Sequence, residues 1–540
     1  MHRCTQGTQG TQAWPLLKYV YRMDTVAAPH PGSKQMPRWN VAELDDAPLA
    51  GWRQWAGMIG PGIVLAGSAI GSGEWLLGPA VSARYGGALL WLATLSLFFQ
   101  LVYNLEASRY TLYTGEPIFT GKFRTLPGPM FWFLVYLALD FGSLMPYMVV
   151  HAATATAAIW LGRIPNPEQI AADQALVQGF AYALLVVALV PLMVGGKVYN
   201  SVKALMTAKI IIVLGFLLLV AILYSSLRTW LEIGRGFLRF GTVPMDGTSG
   251  EVTNVFVRLL RGEPMPSIDR SAIPLLTSFA AVAGIGGLAQ TNISNYTRDQ
   301  GWGMGRHVGA IPSLIGGLRI GLSHTGTVFL PTRQNLERWR RWQRHVLRDQ
   351  AVLWLVGSLI GMALPTMLSV EFLTRGTTAS QWQMAGMTAD AVAVRVGGLV
   401  GSVFWYGVLI CGFLVLLPST ITNADGFIRR WLDAGWTSLR PLHRIAPHQV
   451  RRFYFGMLVT WLVAAIIFLS MRRPMALIVL YGNLGNFALG FSCFHTLVVN
   501  RTLLPREIRP GAARSVWLAL AGIYFMSLAI LTGVVAFGLV

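Results

Sequence analysis

Long apolar stretches recur along the chain and are separated by shorter polar segments. Each stretch reaches about 20 residues, the length that a helix needs to cross the hydrocarbon core of a membrane. The stretches fall roughly at residues 56–80, 87–108, 129–160, 175–195, 204–226, 272–296, 350–370, 397–425, 453–471, 474–499 and 515–539. The pattern predicts an all-α polytopic membrane protein with about eleven transmembrane helices.

A charged residue interrupts the first apolar stretch. Glu74 lies in the run Gly71-Ser72-Gly73-Glu74-Trp75. An ionisable side chain at this depth costs about 2.5 to 3.5 kcal/mol, so it usually faces a cavity, a partner or a transported ion. The flanking glycines weaken the helix and free backbone carbonyls as ligands. We therefore predict a broken helix with a functional carboxylate at the break.

The sixth apolar stretch has a second interruption, Gly284-Ile285-Gly286-Gly287, followed by several amide side chains. The two interruptions lie five spans apart. Such a pair predicts two five-helix units of inverted topology, with a binding site between the breaks of helices 1 and 6.

The same pattern divides the chain into five predicted parts. Residues 51–226 and 272–500 are the two five-helix repeats, and residues 501–540 carry the eleventh helix. Residues 227–271 form a loop outside the membrane. Residues 1–50 are polar and are predicted to be a disordered cytoplasmic tail.

Composition and charge agree with a membrane protein. Hydrophobic residues make up 54% of the chain and charged residues 12%, and mean hydropathy is +0.52. The net charge of +20 follows the positive-inside rule, because most Lys and Arg residues fall on one side if the N-terminus is cytoplasmic. We predict a cell-membrane protein in this orientation. Lys209 lies apart from the other basic residues, within the fifth stretch.

A basic cluster precedes the seventh stretch, with Trp339 and Trp342 between its arginines. The arginines are Arg338, Arg340, Arg341, Arg344 and Arg348. We interpret the cluster as an interfacial helix, with tryptophans at headgroup level and arginines against anionic lipid, and not as a nucleic-acid site.

The sequence gives no sign of an enzyme. No span carries a His-Glu-x-x-His motif or another recognisable hydrolase signature. Cys4, Cys411 and Cys493 are too few and too scattered for a disulfide framework or a metal cluster. No cofactor is predicted, and the oligomeric state stays open.

Several motifs resemble the Nramp family of divalent-metal transporters. Gly60-Pro61-Gly62, the run Gly71 to Trp75, and Gly86 with Leu89-Leu90-Trp91 are similar to the first two helices of that family. Ser419-Thr420-Ile421-Thr422 is similar to a motif of its eighth helix. The resemblance covers about residues 50–540 and implies a LeuT-type fold with a 5+5 inverted repeat and broken helices 1 and 6.

The departures from that family lie at its metal ligands. The family's aspartate falls at Gly71 and its asparagine at Glu74, and Gly286 to Thr291 replace a stretch that supplies a carbonyl and a methionine. By this resemblance Glu74, Gly71, Gly286 and Ala289 are the expected metal ligands. Loss of the thioether favours hard cations, which resembles the magnesium-transporting members. The alternative is an organic or monovalent substrate, because one carboxylate carries little charge for a divalent ion.

Four amide side chains are further candidates for contact with the substrate: Gln290, Asn292, Asn483 and Asn486. Their amide oxygens suit a cation that keeps several waters. In membrane helices such side chains also form hydrogen bonds between helices, worth about 0.6 kcal/mol each on average. Both interpretations stay open for each residue.

A proton pathway is predicted from three charged residues. Asp140 lies at depth in the third stretch, either as a proton relay or as the partner of an arginine. Arg451 and Arg452 lie where the family carries an arginine pair linked to proton transfer, or they anchor the ninth helix at the cytoplasmic surface.

The predicted function is transport of a divalent metal, Mg²⁺ or Mn²⁺, by alternating access between the two breaks, with or without proton coupling. The second hypothesis is transport of another small solute on the same scaffold. The third is a membrane-embedded enzyme or receptor.

Overall fold

The computed structural model describes residues 25–48, 59–246, 250–317, 320–378, 386–470 and 474–537. Most of these residues are helical. Eleven helices, numbered α1 to α11 in chain order, form one bundle, and α1, α3, α6 and α7 each consist of more than one segment. Their bounds are Pro61–Ala69, Gly73–Leu77 and Gly78–Tyr85 (α1), Trp91–Thr114 (α2), Pro129–Leu139 and Tyr147–Leu161 (α3), Ala171–Leu189 (α4), Val198–Tyr224 (α5), Ile273–Val282, Gly287–Thr291 and Asn292–Asp299 (α6), Asp349–Leu355 and Val356–Phe372 (α7), Gly398–Ser438 (α8), Val450–Leu469 (α9), Pro474–Thr502 (α10) and Ala512–Ala536 (α11).

The described part of the chain contains eight helices that are long and apolar enough to cross a membrane. A ninth candidate combines α1 and α2, which are bent by 96° relative to each other. The prediction of an all-α, multi-pass membrane protein is confirmed.

Proline and glycine set several helix ends. Pro61 and Pro129 occupy the first turns of their helices, where the missing N–H costs no hydrogen bond. Gly115 and Gly162 follow α2 and α3 in the left-handed conformation, with φ of 66° at both positions. This conformation ends a helix cheaply only at a residue without a Cβ.

Both predicted breaks are present, and the two helices touch there. Regular α1 ends at Ala69, and its chain continues as the π-helical turn Gly73–Leu77. The first half of α6 ends at Val282, and Gly284 and Gly286 have φ of 91° and 70°. A Cβ on Gly73 would lie 2.1 Å from the carbonyl oxygen of Val282, so only glycine allows this approach.

The N-terminal segment differs from the predicted disordered tail. Within residues 25–48, strand β1 (Thr25–Val26) pairs antiparallel with β2 (Trp39–Val41). β2 also pairs in parallel with Thr327–Val328, and Trp39 is only 1% exposed. Burial of apolar side chains such as Trp39 outweighs the polar composition that suggests disorder. Residues 1–24 and 49–50 of the predicted tail lie outside the described residues.

Two further strands and two helices lie in the predicted outer loop, and the second helix, Val255–Leu260, follows the strands. Thr242–Pro244 and Val252–Asn254 form an antiparallel pair, and the helix Leu227–Gly236 precedes them. In chain order these strands are β3 and β4, and Thr327–Val328 is β5.

The basic cluster forms the helix Arg333–Arg348, which leads into α7. Trp339 and Trp342, which were predicted to contact the lipid headgroups, are buried against the protein. The Trp342 indole donates to the carbonyl oxygen of Asp45, and Arg341 pairs with Asp46 at 2.9 Å. The N-terminal segment therefore covers this face of the helix.

Candidate functional site

Glu74 joins the two helix breaks. Its Oε1 accepts a hydrogen bond from the backbone N–H of Gly284 on α6 at 2.9 Å, and its Oε2 accepts from Gly71 on α1 at 3.3 Å. The side chain is fully buried. Each broken helix leaves backbone donors without helical partners, and a buried donor of this kind must be satisfied. Glu74 satisfies one donor from each break.

Gln100 on α2 satisfies three further backbone groups of the α6 break. Its side-chain nitrogen donates to the carbonyl oxygen of Ala283 at 2.7 Å. Its side-chain oxygen accepts from the backbone N–H groups of Ile285 and Gly286, at 3.2 and 3.3 Å. A single amide thus replaces three helical hydrogen bonds and holds the break open.

A small cavity of about 40 Å³ lies beside the two breaks, where α1, α3, α6, α8 and α10 meet. A volume of this size holds about three water molecules. The lining residues are Ser68, Ala69, Ser72, Tyr147, Met148, Gly284, Ile285, Ala289, Asn292, Tyr296, Ser419, Thr422, Asn423 and Tyr481. Hydroxyl and amide groups dominate this wall, and none of the described residues that line it is acidic.

Four charged groups lie one hydrogen bond behind this wall, and one of them, Asp425, accepts from the hydroxyl of Tyr296. Lys209 of α5 donates to the hydroxyl of Ser419 at 2.7 Å. Arg430 of α8 donates to the side-chain oxygen of Asn292 at 3.2 Å. Glu74 accepts from the backbone of Gly284. These charged groups therefore act on the cavity through polar side chains and backbone groups, and not by direct contact.

A buried ion network adjoins the cavity on the side of the bundle where α8 ends. The Tyr296 hydroxyl donates to Asp425 at 3.3 Å, and Asp425 pairs with Arg429 at 2.9 Å. Arg429 also pairs with Asp299, and Tyr454 donates to Asp425 at 2.7 Å. These charges are at most 1% exposed. The network closes this side of the cavity with packed, buried side chains that join α6, α8 and α9.

In the structure each of the predicted metal ligands makes a backbone or side-chain hydrogen bond within the protein. The carboxylate oxygens of Glu74 accept from backbone N–H groups, and the carbonyl of Gly71 accepts from the N–H of Trp75. Gly286 contacts Gln100 through its N–H. Ala289 lines the cavity, but its carbonyl accepts from the N–H of Asn292. Among the described residues, no group of three or more His, Cys, Asp or Glu side chains could hold a metal ion.

Of the four predicted amides, only Asn292 lies on the cavity wall. Gln290 donates to Asn104 of α2 at 2.5 Å. Asn483 donates to Ser278 of α6 at 3.0 Å. Asn486 donates to the carbonyl of Thr277, also of α6, at 2.9 Å. These three amides therefore form hydrogen bonds between helices, which was the second of the two interpretations. Their polar partners lie away from the cavity.

The predicted proton-pathway residues do not form a chain. Asp140 pairs with Arg430 at 2.8 Å and accepts from the indole of Trp431 at 2.9 Å, so it is the partner of an arginine. Arg451 and Arg452 lie at the exposed start of α9, and neither forms an ion pair with a described residue.

Sequence reasoning gave no role to three residues that build the site: Gln100, Lys209 and Arg430. Lys209 had a visible signal, since a lysine within an apolar stretch is rare. Gln100 and Arg430 had none, because their partners lie more than 100 positions away in the sequence.

Comparisons with known proteins give a fold. No family model matches the sequence. No curated protein matches it either. The manganese transporter of Eremococcus coleocola, solved with an aromatic bis-isothiourea substituted compound, has a TM-score of 0.59 at 15% identity, covering 90% of this chain and 88% of that chain. A mutant of the same transporter has a TM-score of 0.57 at 12% identity, with the same coverage.

The similarity confirms the predicted LeuT-type fold, with helices 1 and 6 broken near the middle of the bundle. At 12 to 15% identity the likeness concerns the fold alone. The substrate has to be inferred from the site itself.

Proposed function

We propose that the chain is a secondary transporter that works by alternating access through the cavity between the breaks of α1 and α6. Two observations support this proposal. The cavity lies where two broken helices meet, which is where transporters with inverted repeats bind their substrates. One side of it is closed by buried ion pairs that a conformational change could open.

The substrate that the cavity supports best is a small polar solute that is neutral or carries one charge. This choice rests on one observation: the described residues that line the cavity offer hydroxyl and amide groups, and none of them is acidic. Glu74 already accepts two backbone hydrogen bonds, and the ammonium of Lys209 lies one hydrogen bond from the cavity. A divalent cation here would lack a carboxylate ligand and would face a nearby positive charge.

Transport of a divalent metal is the second candidate. A cavity of about 40 Å³ suits an ion and a few waters better than a drug-sized molecule, which needs about 300 Å³ or more. Met148 on the wall brings a thioether, a ligand that soft and borderline metals accept. Either Mn²⁺ or Mg²⁺ would then keep most of its hydration shell.

The proposed cycle opens the closed side by breaking contacts that begin on the cavity wall. Asn292 and Tyr296 both line the cavity, where Asn292 bonds to Arg430 and Tyr296 bonds to Asp425 of the network. A substrate that donates a hydrogen bond to the Asn292 side-chain oxygen competes with Arg430, and one that accepts from the Tyr296 hydroxyl competes with Asp425. Substrate binding would thereby loosen the seal and favour the state that is open on that side.

We also infer the location and orientation. The distribution of Lys and Arg favours a cell-membrane protein with a cytoplasmic N-terminus. The closed side, where α8 ends, is then the cytoplasmic side. No cofactor enters the proposed cycle.

Uptake into proteoliposomes tests the proposal. Candidate substrates are Na⁺, K⁺ and neutral amino acids, with Mg²⁺ and Mn²⁺ tested both as substrates and as competitors. We expect saturable uptake of a neutral or singly charged solute that excess Mg²⁺ and Mn²⁺ do not inhibit. Saturable Mn²⁺ or Mg²⁺ uptake would support the second candidate, and no saturable uptake by folded protein would contradict transport.

A matched pair of variants ties such uptake to the cavity. Asn423→Ala removes an amide from the wall, whereas Asn483→Ala removes an amide that joins α6, α10 and α11. Uptake that falls in the first variant and persists in the second would assign the flux to this site.

A further inference from the structure

Lys209 is a charged residue whose direct partners are neutral. Its ammonium lies on α5, is 2% exposed, and donates to the carbonyl oxygen of Val415 at 2.8 Å and the hydroxyl of Ser419 at 2.7 Å. A buried charge costs several kcal/mol unless its surroundings compensate it. A lysine kept at this depth therefore calls for a physical reason.

The two oxygen atoms present their lone pairs to one point. The Ser419 hydroxyl donates its own proton to the carbonyl of Val415 at 2.8 Å, so its oxygen can only accept from Lys209. Both acceptors lie on α8, one turn apart. Oxygen atoms arranged in this way suit any small cation, whether an ammonium or an alkali ion.

The point also lies beside the break of α1. A Cβ on Gly71 would be 3.2 Å from the Ser419 hydroxyl oxygen, so the backbone of the break passes close to this hydroxyl. The N–H of Gly71 donates to Glu74, so this carboxylate lies at the same break. The negative charge at the break thus has its counter-charge on the neighbouring helix.

We propose that the ammonium of Lys209 is a built-in monovalent cation, which fills a cation site formed by α8 and the break of α1. The positive charge belongs to the chain, so no alkali ion is needed at this point. The ammonium balances Glu74 and fixes α5 to α8 beside the cavity. Only one part of this inference rests on the proposed function, namely the statement about the charge of the transport site.

Chemical rescue tests the proposal on the full chain in detergent. Lys209→Ala vacates the position between Val415, Ser419 and Glu74. We expect the unfolding midpoint in choline chloride to fall by about 3 °C or more and to recover, with saturation, when methylammonium or Na⁺ replaces choline. The unfolding midpoint of the wild-type protein should be the same in all three salts, because the ammonium of Lys209 fills the site.

Lys203→Ala is the matched control. Lys203 lies on the same helix and donates to the backbone carbonyl of Ile59. Its loss should not create a response to small cations. A Lys209→Ala protein with no specific response to methylammonium or Na⁺ would overturn the proposal, as would a wild-type protein with an equal response.

A charge cycle gives a second test if Lys209→Ala does not fold. Lys209→Gln keeps donors for both oxygens but removes the charge. If the ammonium balances Glu74, the double variant with Glu74→Gln should be more stable than the sum of the two single effects predicts. Additive effects would refute the balance of charge. Neither test requires uptake, so a failure here is separate from a failure of the transport proposal.

Discussion

The carboxylate of Glu74 and the backbone N–H of Gly284 join the two broken helices through a hydrogen bond of 2.9 Å. Glu74 lies on α1 and Gly284 on α6, 210 positions later in the chain. The acid that marks the first helix break in the sequence therefore belongs structurally to both breaks.

Replacing Glu74 by glutamine should destabilise the protein. The glutamine oxygen can accept from one backbone N–H, but the amide nitrogen cannot accept from the other, and a buried donor loses its partner. Hydrogen bonds to charged groups contribute about 1.5 to 3 kcal/mol, and we expect a loss of that order in the free energy of unfolding. Denaturant or thermal unfolding in detergent measures it. Glu337→Gln, which alters an exposed pair with Arg333, should change stability by less than about 0.5 kcal/mol.

Gly73→Ala should force α1 and α6 apart. The new methyl carbon would lie 2.1 Å from the carbonyl oxygen of Val282, which is backbone and cannot turn away. Overpacking of this kind costs about 1 to 3 kcal/mol. Gly456→Ala in α9 is the control, because nothing lies within 4 Å of its Cβ position. That change should be neutral or stabilising, and equal stability of the two variants would argue against the close approach.

Arg430→Gln should open the closed side of the cavity. Arg430 bonds both Asp140 and Asn292, so its loss releases α8 from α3 and from the cavity wall. In a background with Cys4, Cys411 and Cys493 replaced by serine, Thr422→Cys, elsewhere on the cavity wall, reports access to the wall and leaves the Arg430 contacts intact. Labelling by a membrane-impermeant thiol reagent should be several-fold faster when Arg430→Gln is added.

The control for that experiment is Arg344→Gln, since Arg344 is exposed on the helix before α7. It should leave the labelling rate unchanged. Unchanged labelling in Arg430→Gln would mean that this arginine does not contribute to the seal.

Trp39→Ala should release the N-terminal segment from the bundle. Trp39 is 1% exposed, stacks under the guanidinium of Arg124 at 5.0 Å and meets the ring of Tyr113 edge-on at 6.2 Å. Truncating a buried tryptophan costs about 3 to 5 kcal/mol, more than two short strands can supply. Limited proteolysis should then cut within residues 25–48 before the rest of the chain. Arg38→Ala, at a more exposed neighbour, should keep the wild-type cleavage pattern.

The sequence predicted the membrane fold and both helix breaks because each depends on local pattern. Apolar runs long enough to span a bilayer and glycines inside two of them need no knowledge of distant residues. The direction in which Glu74 points was a different problem. One position along a helix turns a side chain by about 100°, so composition alone could not show whether the acid faces the cavity or the backbone.

The site itself depends on contacts between distant residues. Gln100 meets the α6 break across 185 positions, and Lys209 meets Ser419 across 210. The N-terminal segment was misjudged for the same reason, since its strand β2 gains its partner from Thr327 and Val328. Polar composition describes how a segment behaves alone and not what it docks against.

The two hydrogen bonds of Glu74 also constrain how the molecule can move. Because both are made to backbone, they couple the middle of α1 to the middle of α6 as a single mechanical element. A rocking motion that preserves them must pivot elsewhere. The interruption of α3 between Leu139 and Tyr147 offers such a hinge, since it borders the cavity through Tyr147 and holds α8 through the ion pair of Asp140 with Arg430.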